Sequence, residues 1–210
     1  MKYIDTSLYF ITDSTGFNEE DFLIRVEAAL KGGVSLLQLR EKEKSTREYL
    51  YLAEKVHVLT KKYNIPLIID DRIDVVMAVN AEGVHLGQSD MPIDVARKIL
   101  GKDKIIGATA KTVEQALDAY HQGADYLGVG AIYPTTTKVK TVLTSTDTLS
   151  KICRAVPIPV NAIGGLNKEN VNILNNINIS GICVVSAIMK ADNPKTTAEE
   201  LKAWIKEKSK

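Results

Sequence analysis

Short apolar runs alternate with amphipathic segments from one end of the chain to the other. The runs are Leu8–Ile11, Leu36–Leu39, Leu67–Ile69, Val84–Leu86, Ile105–Ile106, Tyr126–Val129, Val160–Ile163 and Ile182–Val185. Each is rich in Ile, Val or Leu and too short for a helix. Apolarity that is nearly continuous suits parallel strands covered on both faces. The intervening segments carry helix punctuation. Ser45-Thr46-Arg47-Glu48 has the spacing of a capping box, and Leu52, Ala53 and Val56 follow on one face. Thr112-Val113-Glu114-Gln115 reads as a second box, followed by Ala116, Ala119 and Tyr120, with Gly123 as the stop. Phe22, Val26, Ala29 and Leu30 keep the helical period ahead of Gly32-Gly33. Asn193-Pro194 opens a last helix with Ala198, Leu201 and Ile205 inward.

Strand signals alternating with helices predict a closed parallel (β/α)8 (TIM) barrel over an open doubly wound sheet. A loose echo supports it: Gly33, Gly83, Gly123 and Gly181 each lead into a strand, though at uneven spacing. No low-complexity segment or linker divides the 210 residues, so the expectation is one α/β domain over 1–210. The longest candidate loop runs from Pro134 to about Thr146.

Charge removes some classes of function. Lys and Arg number 27 against 26 Asp and Glu, which gives no sign of a nucleic-acid partner and leaves any attraction for phosphate to local clusters. The two cysteines, Cys153 and Cys183, sit in no metal-ligand or C-x-x-C spacing, and Cys183 lies in an apolar run. Unpatterned thiols fit a reducing cytosol, so a cytoplasmic location is expected. The N-terminus has no signal-peptide core, and no stretch approaches the ~18 apolar residues of a membrane span. The exposed helix faces show no clear dimer stripe. A homodimer is compatible with the sequence, which does not fix the oligomeric state.

The strand ends carry polar residues out of proportion to their surroundings, and these barrels place their working residues there. Strand two ends Gln38-Leu39-Arg40-Glu41-Lys42, strand three Asp70-Asp71-Arg72, and strand four Gly87-Gln88-Ser89-Asp90. Strand five leads to Thr109, and strand six to Pro134-Thr135-Thr136-Thr137-Lys138. Strand seven ends at Gly164-Gly165, and strand eight at Val185-Ser186. Asp71 and Asp90 follow adjacent strands, so their carboxylates can share one hard cation. Arg40, Lys42 and Lys138 would surround that cation, an arrangement suited to a diphosphate. Each residue alone reads as a salt bridge at a loop end; together, on consecutive strand ends, they read as a site. Gly164-Gly165 with Ser186 is either a phosphate cradle or a pair of tight turns. Thr135–Lys138 is either a substrate clamp or a solvated turn. Gln38 and Thr109 can hydrogen-bond a heterocycle. His57 and His121 fall on helices and read as solvated; His85, within strand four, reads as a core histidine. No Ser-His-Asp order and no phosphate-binding P-loop pattern occurs.

Six motifs in order resemble the thiamine-phosphate synthase family: Gln38–Lys42, Asp71-Arg72, Gly83–Asp90, Gly123–Gly130, Thr137-Lys138 and Val185–Ile188. The likeness runs from Leu8 to about Met189. It implies a transferase of thiamine (vitamin B1) biosynthesis that joins an aminopyrimidine diphosphate to a thiazole phosphate. It also implies one Mg2+ per active site, held by Asp71 and Asp90. Gln38–Lys42, with Leu39 and Glu41 inside the motif, would bind the pyrimidine diphosphate together with Asp70, Thr109 and Lys138. Thr135, Thr136, Thr137, Gly165, Val185 and Ser186 would bind the thiazole phosphate. The chain departs from the family pattern at three places. Asp70 replaces the usual Asn, either as a third metal contact or as a protonated donor. Thr109 replaces Ser. Val139 follows Lys138 where a second Lys is common, with Lys140 as its substitute. The rivals are a thiazole tautomerase-like paralogue, a non-enzymatic ligand-binding regulator and a phosphosugar isomerase. The first two have no need of paired acids and three cations, and the third needs an acid–base pair that the sequence does not show.

Overall fold

The computed structural model describes residues 4–135 and 142–208. The strands are β1 (Leu8–Ile11), β2 (Leu36–Leu39), β3 (Leu67–Asp70), β4 (Gly83–Leu86), β5 (Ile105–Ala110), β6 (Tyr126–Gly130), β7 (Val160–Ile163) and β8 (Gly181–Val184). All pair in parallel in sequence order, and β8 closes on β1, so the expected (β/α)8 barrel is what forms. The helices are α1 (Glu19–Lys31), α2 (Thr46–Lys62), α3 (Ile73–Val79), α4 (Ile93–Leu100), α5 (Val113–His121), α6 (Thr146–Ala155), α7 (Ser186–Met189) and α8 (Pro194–Lys208). Between β7 and β8 the expected helix shrinks to a 3-10 turn, Val171–Leu174.

Successive strand residues face opposite sides, which splits the core in two. Leu8, Phe10, Leu37, Leu39, Ile69 and Val84 pack outward against the helices. Tyr9, Ile11, Leu36, Ile68, Tyr126 and Cys183 fill the barrel. β5 runs further than its apolar run because its inward positions include Gly107 and Thr109, which carry no hydrophobic signal. Ser45 caps α2 in the full reciprocal box with Glu48. The Thr112 box forms only in half. Thr112 accepts from Gln115 N at 3.2 Å, while the Gln115 side chain accepts from Lys111 N instead of reaching back to the cap.

His57 is not solvated. It is buried, with Nδ1 3.1 Å from Val79 O and Nε2 3.1 Å from Glu82 Oε1, partners far away in sequence. On the surface, Val95 and Ile99 of α4 are exposed one turn apart, and Met91 is exposed just ahead of that helix. A cavity of about 810 Å3 opens at the N-terminal end of the barrel. Its cations are already engaged, Lys104 with Asn80 and Ala81, and Lys202 with Asp5 and Ser7. Barrels carry their chemistry at the other end. No helix among the described residues is long and apolar enough to cross a membrane.

Candidate active site

The C-terminal mouth is built outward from the end of β2. The buried Tyr49 hydroxyl donates to Leu39 O at 2.6 Å and fixes the strand's last turn. Arg40 N donates to Thr12 Oγ1 at 3.3 Å, so the chain leaves β2 tied to β1. Arg40 and Lys42 then face the acids after β3, whereas the Leu39 side chain lies in the outer core and only its backbone belongs to the mouth. Glu41 turns aside: Oε2 accepts from Ser14 Oγ at 2.7 Å, and Oε1 is buried with no hydrogen-bond partner among the described residues. Burial holds its carboxyl above the ordinary value despite the Ser14 bond. In this arrangement Glu41 ties the β1–α1 loop to β2.

After β3 the backbone does something an extended strand cannot. Neighbouring strand residues point to opposite faces, yet Asp70 and Asp71 both reach Lys42. Asp71 has φ +60°, and its N–H donates to His85 O at 2.9 Å. This left-handed residue, which Asp tolerates better than most, brings the second carboxylate round. Lys42 Nζ stands 2.6 Å from Asp70 Oδ2 and also touches Asp71 Oδ2, while Arg40 Nε is 3.8 Å from Asp70. The Asp70 contact is an ion pair without hydrogen-bond angles. Burial opposes the Lys42 charge, but the two carboxylates outweigh it and raise its pKa.

Asp90 closes the cluster from β4. Its Oδ2 accepts from Gly87 N at 2.6 Å, and its N–H donates to Gly87 O at 3.2 Å. Burial first, and then the Asp71 carboxylate beside it, push its pKa up. Arg40 and Lys42 thus stand against Asp70, Asp71 and Asp90, two cations to three carboxylates. Hard oxygen donors short of positive charge fit a divalent cation such as magnesium completed by ligand oxygens and water. The described residues form no group of three or more His, Cys, Asp or Glu able to hold a metal alone. A raised carboxyl pKa means that the ionised form is disfavoured in the fold, so above that pKa Asp90 opposes folding. Asp90→Asn is therefore expected to raise the thermal midpoint of the metal-free protein and to erase any rise that added magnesium gives the native chain. Thermal denaturation with magnesium and with chelator checks both; a lowered midpoint would contradict the electrostatic account.

On the other side of the mouth, Gly164 and Gly165 have φ +105° and +64°. A Cβ would meet Ala131 Cβ at 2.3 Å at the first and Pro134 O at 2.8 Å at the second. The pair lets the chain after β6 lie directly on β7, with Tyr133 N donating to Gly164 O at 3.0 Å. Val185 and Ser186 leave β8 at the start of the single-turn α7. Thr135 is described and half-buried; Thr136, Thr137, Lys138, Val139 and Lys140 lie outside the described residues.

Beneath these groups the interior is polar. Gln38 Nε2 donates to Tyr9 Oη at 2.6 Å, and Tyr9 Oη lies 2.7 Å from Tyr126 Oη. His85 has Nδ1 3.2 Å from Tyr126 Oη and Nε2 3.0 Å from Thr109 Oγ1, and Gln88 Nε2 donates to Thr109 O at 2.6 Å. Sequence reasoning found Gln38 and Thr109 and missed the two tyrosines between them. The signal lies in their parity: Tyr9 and Tyr126 occupy inward positions, and Gly107 and Gly128 leave space for Tyr126 and His85.

Fold and mouth define a (β/α)8 barrel with a charged cluster at the strand C-termini, the end where enzymes of this architecture work. The chain matches the family model described as thiamine monophosphate synthase over residues 8–188, and it belongs to that family. It is 48% identical to the thiamine-phosphate synthase of Clostridium tetani, covering 98% of this chain and 99% of that one. With the thiamine-phosphate synthase of Methanobrevibacter smithii it shares 49% identity over the full length of both. A solved thiamine phosphate pyrophosphorylase from Pyrococcus furiosus superposes with a TM-score of 0.89 at 40% identity, covering 97% of each chain.

Proposed function

We propose that the chain, acting as a single barrel domain, is a transferase that condenses 4-amino-2-methyl-5-(diphosphooxymethyl)pyrimidine with a thiazole phosphate to give thiamine phosphate and diphosphate. The observation that carries this reading is the acid–cation cluster of Arg40, Lys42, Asp70, Asp71 and Asp90 on consecutive strand ends, in a chain whose full-length relatives are named thiamine-phosphate synthases.

The C–O bond to diphosphate breaks with its electron pair staying on the leaving group, and the lone pair of the thiazole nitrogen closes the new C–N bond on the pyrimidine methylene. No general base is needed for that step. The difficulty is negative charge growing on diphosphate. Arg40 and Lys42, held beside the acids of the mouth, would meet it with little reorganisation, and Lys138 is the third cation of this reading. Asp71 and Asp90 would hold one magnesium ion, which when bound supplies further neutralising charge at the diphosphate. Gln38 and Thr109 bind the heterocycle. Thr135, Thr136, Thr137, Gly165, Val185 and Ser186 take the thiazole phosphate, and the 135–140 segment keeps water from the carbocation. The same reading puts the protein in the cytoplasm and is compatible with a homodimer.

The test mixes protein, both substrates and magnesium and measures diphosphate release. Release should require both substrates and stop with chelator. Release without the thiazole, or none at all, would reject the coupling reaction and return a tautomerase-like or regulatory reading.

A further inference from the structure

Five interior side chains on five strands are linked end to end: Gln38 on β2, Tyr9 on β1, Tyr126 on β6, His85 on β4 and Thr109 on β5. Gln38, Tyr9 and Tyr126 are buried, and both tyrosine rings are 0% exposed, so water cannot satisfy a stray hydroxyl there. An orphaned buried donor costs about 1–3 kcal/mol, and this fixes the direction of the chain. Gln38 donates its amide N–H to Tyr9. If Tyr126 also donated to Tyr9, the Tyr9 hydrogen would have no acceptor. Tyr9 therefore donates to Tyr126, Tyr126 donates to His85 Nδ1, and a neutral His85 donates from Nε2 to Thr109 Oγ1. Each link then holds one hydrogen.

The two ends of such a chain are determined. Gln38 turns one N–H of its amide to Tyr9, which fixes the amide's orientation and leaves its carbonyl oxygen on the side away from that bond, an acceptor. Thr109 has accepted from His85, so its own O–H remains, a donor, on a strand end pinned by Gln88. An aminopyrimidine is the complement of that pair: its exocyclic amino group donates and its ring nitrogens accept. The 4-oxo analogue inverts the pattern, with an acceptor in place of the amino group and a hydrogen on the adjacent ring nitrogen.

We propose that Tyr9, Tyr126 and His85 are positioning residues that polarise Gln38 as acceptor and Thr109 as donor, so that the mouth accepts a 4-aminopyrimidine diphosphate and rejects its 4-oxo counterpart. This rests on the coupling reaction proposed above. The three residues touch no substrate; they act through the two that do. Turning the Gln38 amide over would reverse every link, so the tautomer of His85 reports the direction directly.

Two measurements decide. Nitrogen-15 NMR of histidine-labelled whole protein reads the His85 ring, assigned by difference with His57→Gln and His121→Gln. The expected form is neutral with Nε2 protonated and Nδ1 bare; a ring protonated on Nδ1 overturns the proposal. Second, kcat/KM for coupling is compared between the 4-amino and 4-oxo pyrimidine diphosphates. The native chain should favour the amino compound by about 10⁴ or more, the range for sites built around a substrate's polar group. Tyr126→Phe, which leaves His85 free to reverse, should cut that ratio at least about tenfold, on the same scale of discrimination. Tyr9→Phe, which releases the Gln38 amide, should do likewise and carries the test if Tyr126→Phe fails to fold. A role in packing alone would slow both substrates alike and keep the ratio, which would overturn the relay while coupling stands. A native chain that couples the aminopyrimidine but uses both compounds equally does the same. A native chain that couples neither overturns both readings.

Discussion

Asp71→Asn is expected to leave the barrel folded and to lower the turnover of coupling by about 10²–10³, the usual loss when one preorganised electrostatic contact is removed. Asparagine is the substitution that isolates charge. Asp71 sits at φ +60°, where Asn is among the few side chains tolerated without glycine's freedom. Alanine there would add backbone strain and blur the reading. The variant leaves Arg40 and Lys42 against Asp70 and Asp90, so the mouth loses the carboxylate that Lys42 touches together with Asp70. The fall should appear in kcat and in the magnesium concentration needed for half-maximal rate, with little change in the KM for the thiazole phosphate. Steady-state kinetics over a magnesium series reads all three, with circular dichroism as the folding control. Near-native turnover would remove Asp71 from the site.

The parts of this molecule that a sequence reader could see are those set by local rules. Strands buried on both faces announce themselves as apolar runs, and seven of the eight observed strands coincide with such runs to within a residue or so at each end. β5 does not, because its inward Gly107 and Thr109 exist to serve Tyr126 and His85, a purpose with no local signature. The acids and cations of the mouth were legible because the architecture fixes which end of a strand carries chemistry. What was not legible depends on register across the barrel. Tyr9 and Tyr126 meet only because the sheet closes, and 117 residues separate them. The backbone turn at Asp71 that aims two successive carboxylates at one lysine has no sequence marker, since Asp is common at strand ends without φ > 0. Gly164-Gly165 was read as either phosphate cradle or tight turns, and the structure adds a third use, backbone contact with the chain's own Ala131–Pro134. His57 was misread for the same reason as the tyrosines: its partners Val79 and Glu82 come from another part of the chain.

The barrel's stability and its polar interior meet at one small residue, and Gly107→Ala is expected to damage both. A Cβ at Gly107 would stand 2.1 Å from Tyr126 Cζ and 2.3 Å from its Oη, far inside contact distance. The ring cannot yield cheaply. It is fully buried, and its hydroxyl is held between Tyr9 and His85. Overpacking of a filled core costs about 1–3 kcal/mol, and each buried hydroxyl displaced from its partner adds about 1–3 kcal/mol. With the one Tyr126 hydroxyl displaced, the expected loss is about 2–6 kcal/mol, a large share of the ~5–15 kcal/mol that holds a domain together. Urea unfolding should show the midpoint fall. Steric clash and broken hydrogen bonds can then be separated by a double-mutant cycle. Tyr126→Leu alone costs stability by leaving a gap, yet the gap is where the alanine methyl must go. Gly107→Ala with Tyr126→Leu should thus be less damaging than the sum of the two by about 1–3 kcal/mol, the range for residues in direct contact. Costs that simply add would mean that Gly107 is kept for some reason other than the Tyr126 ring.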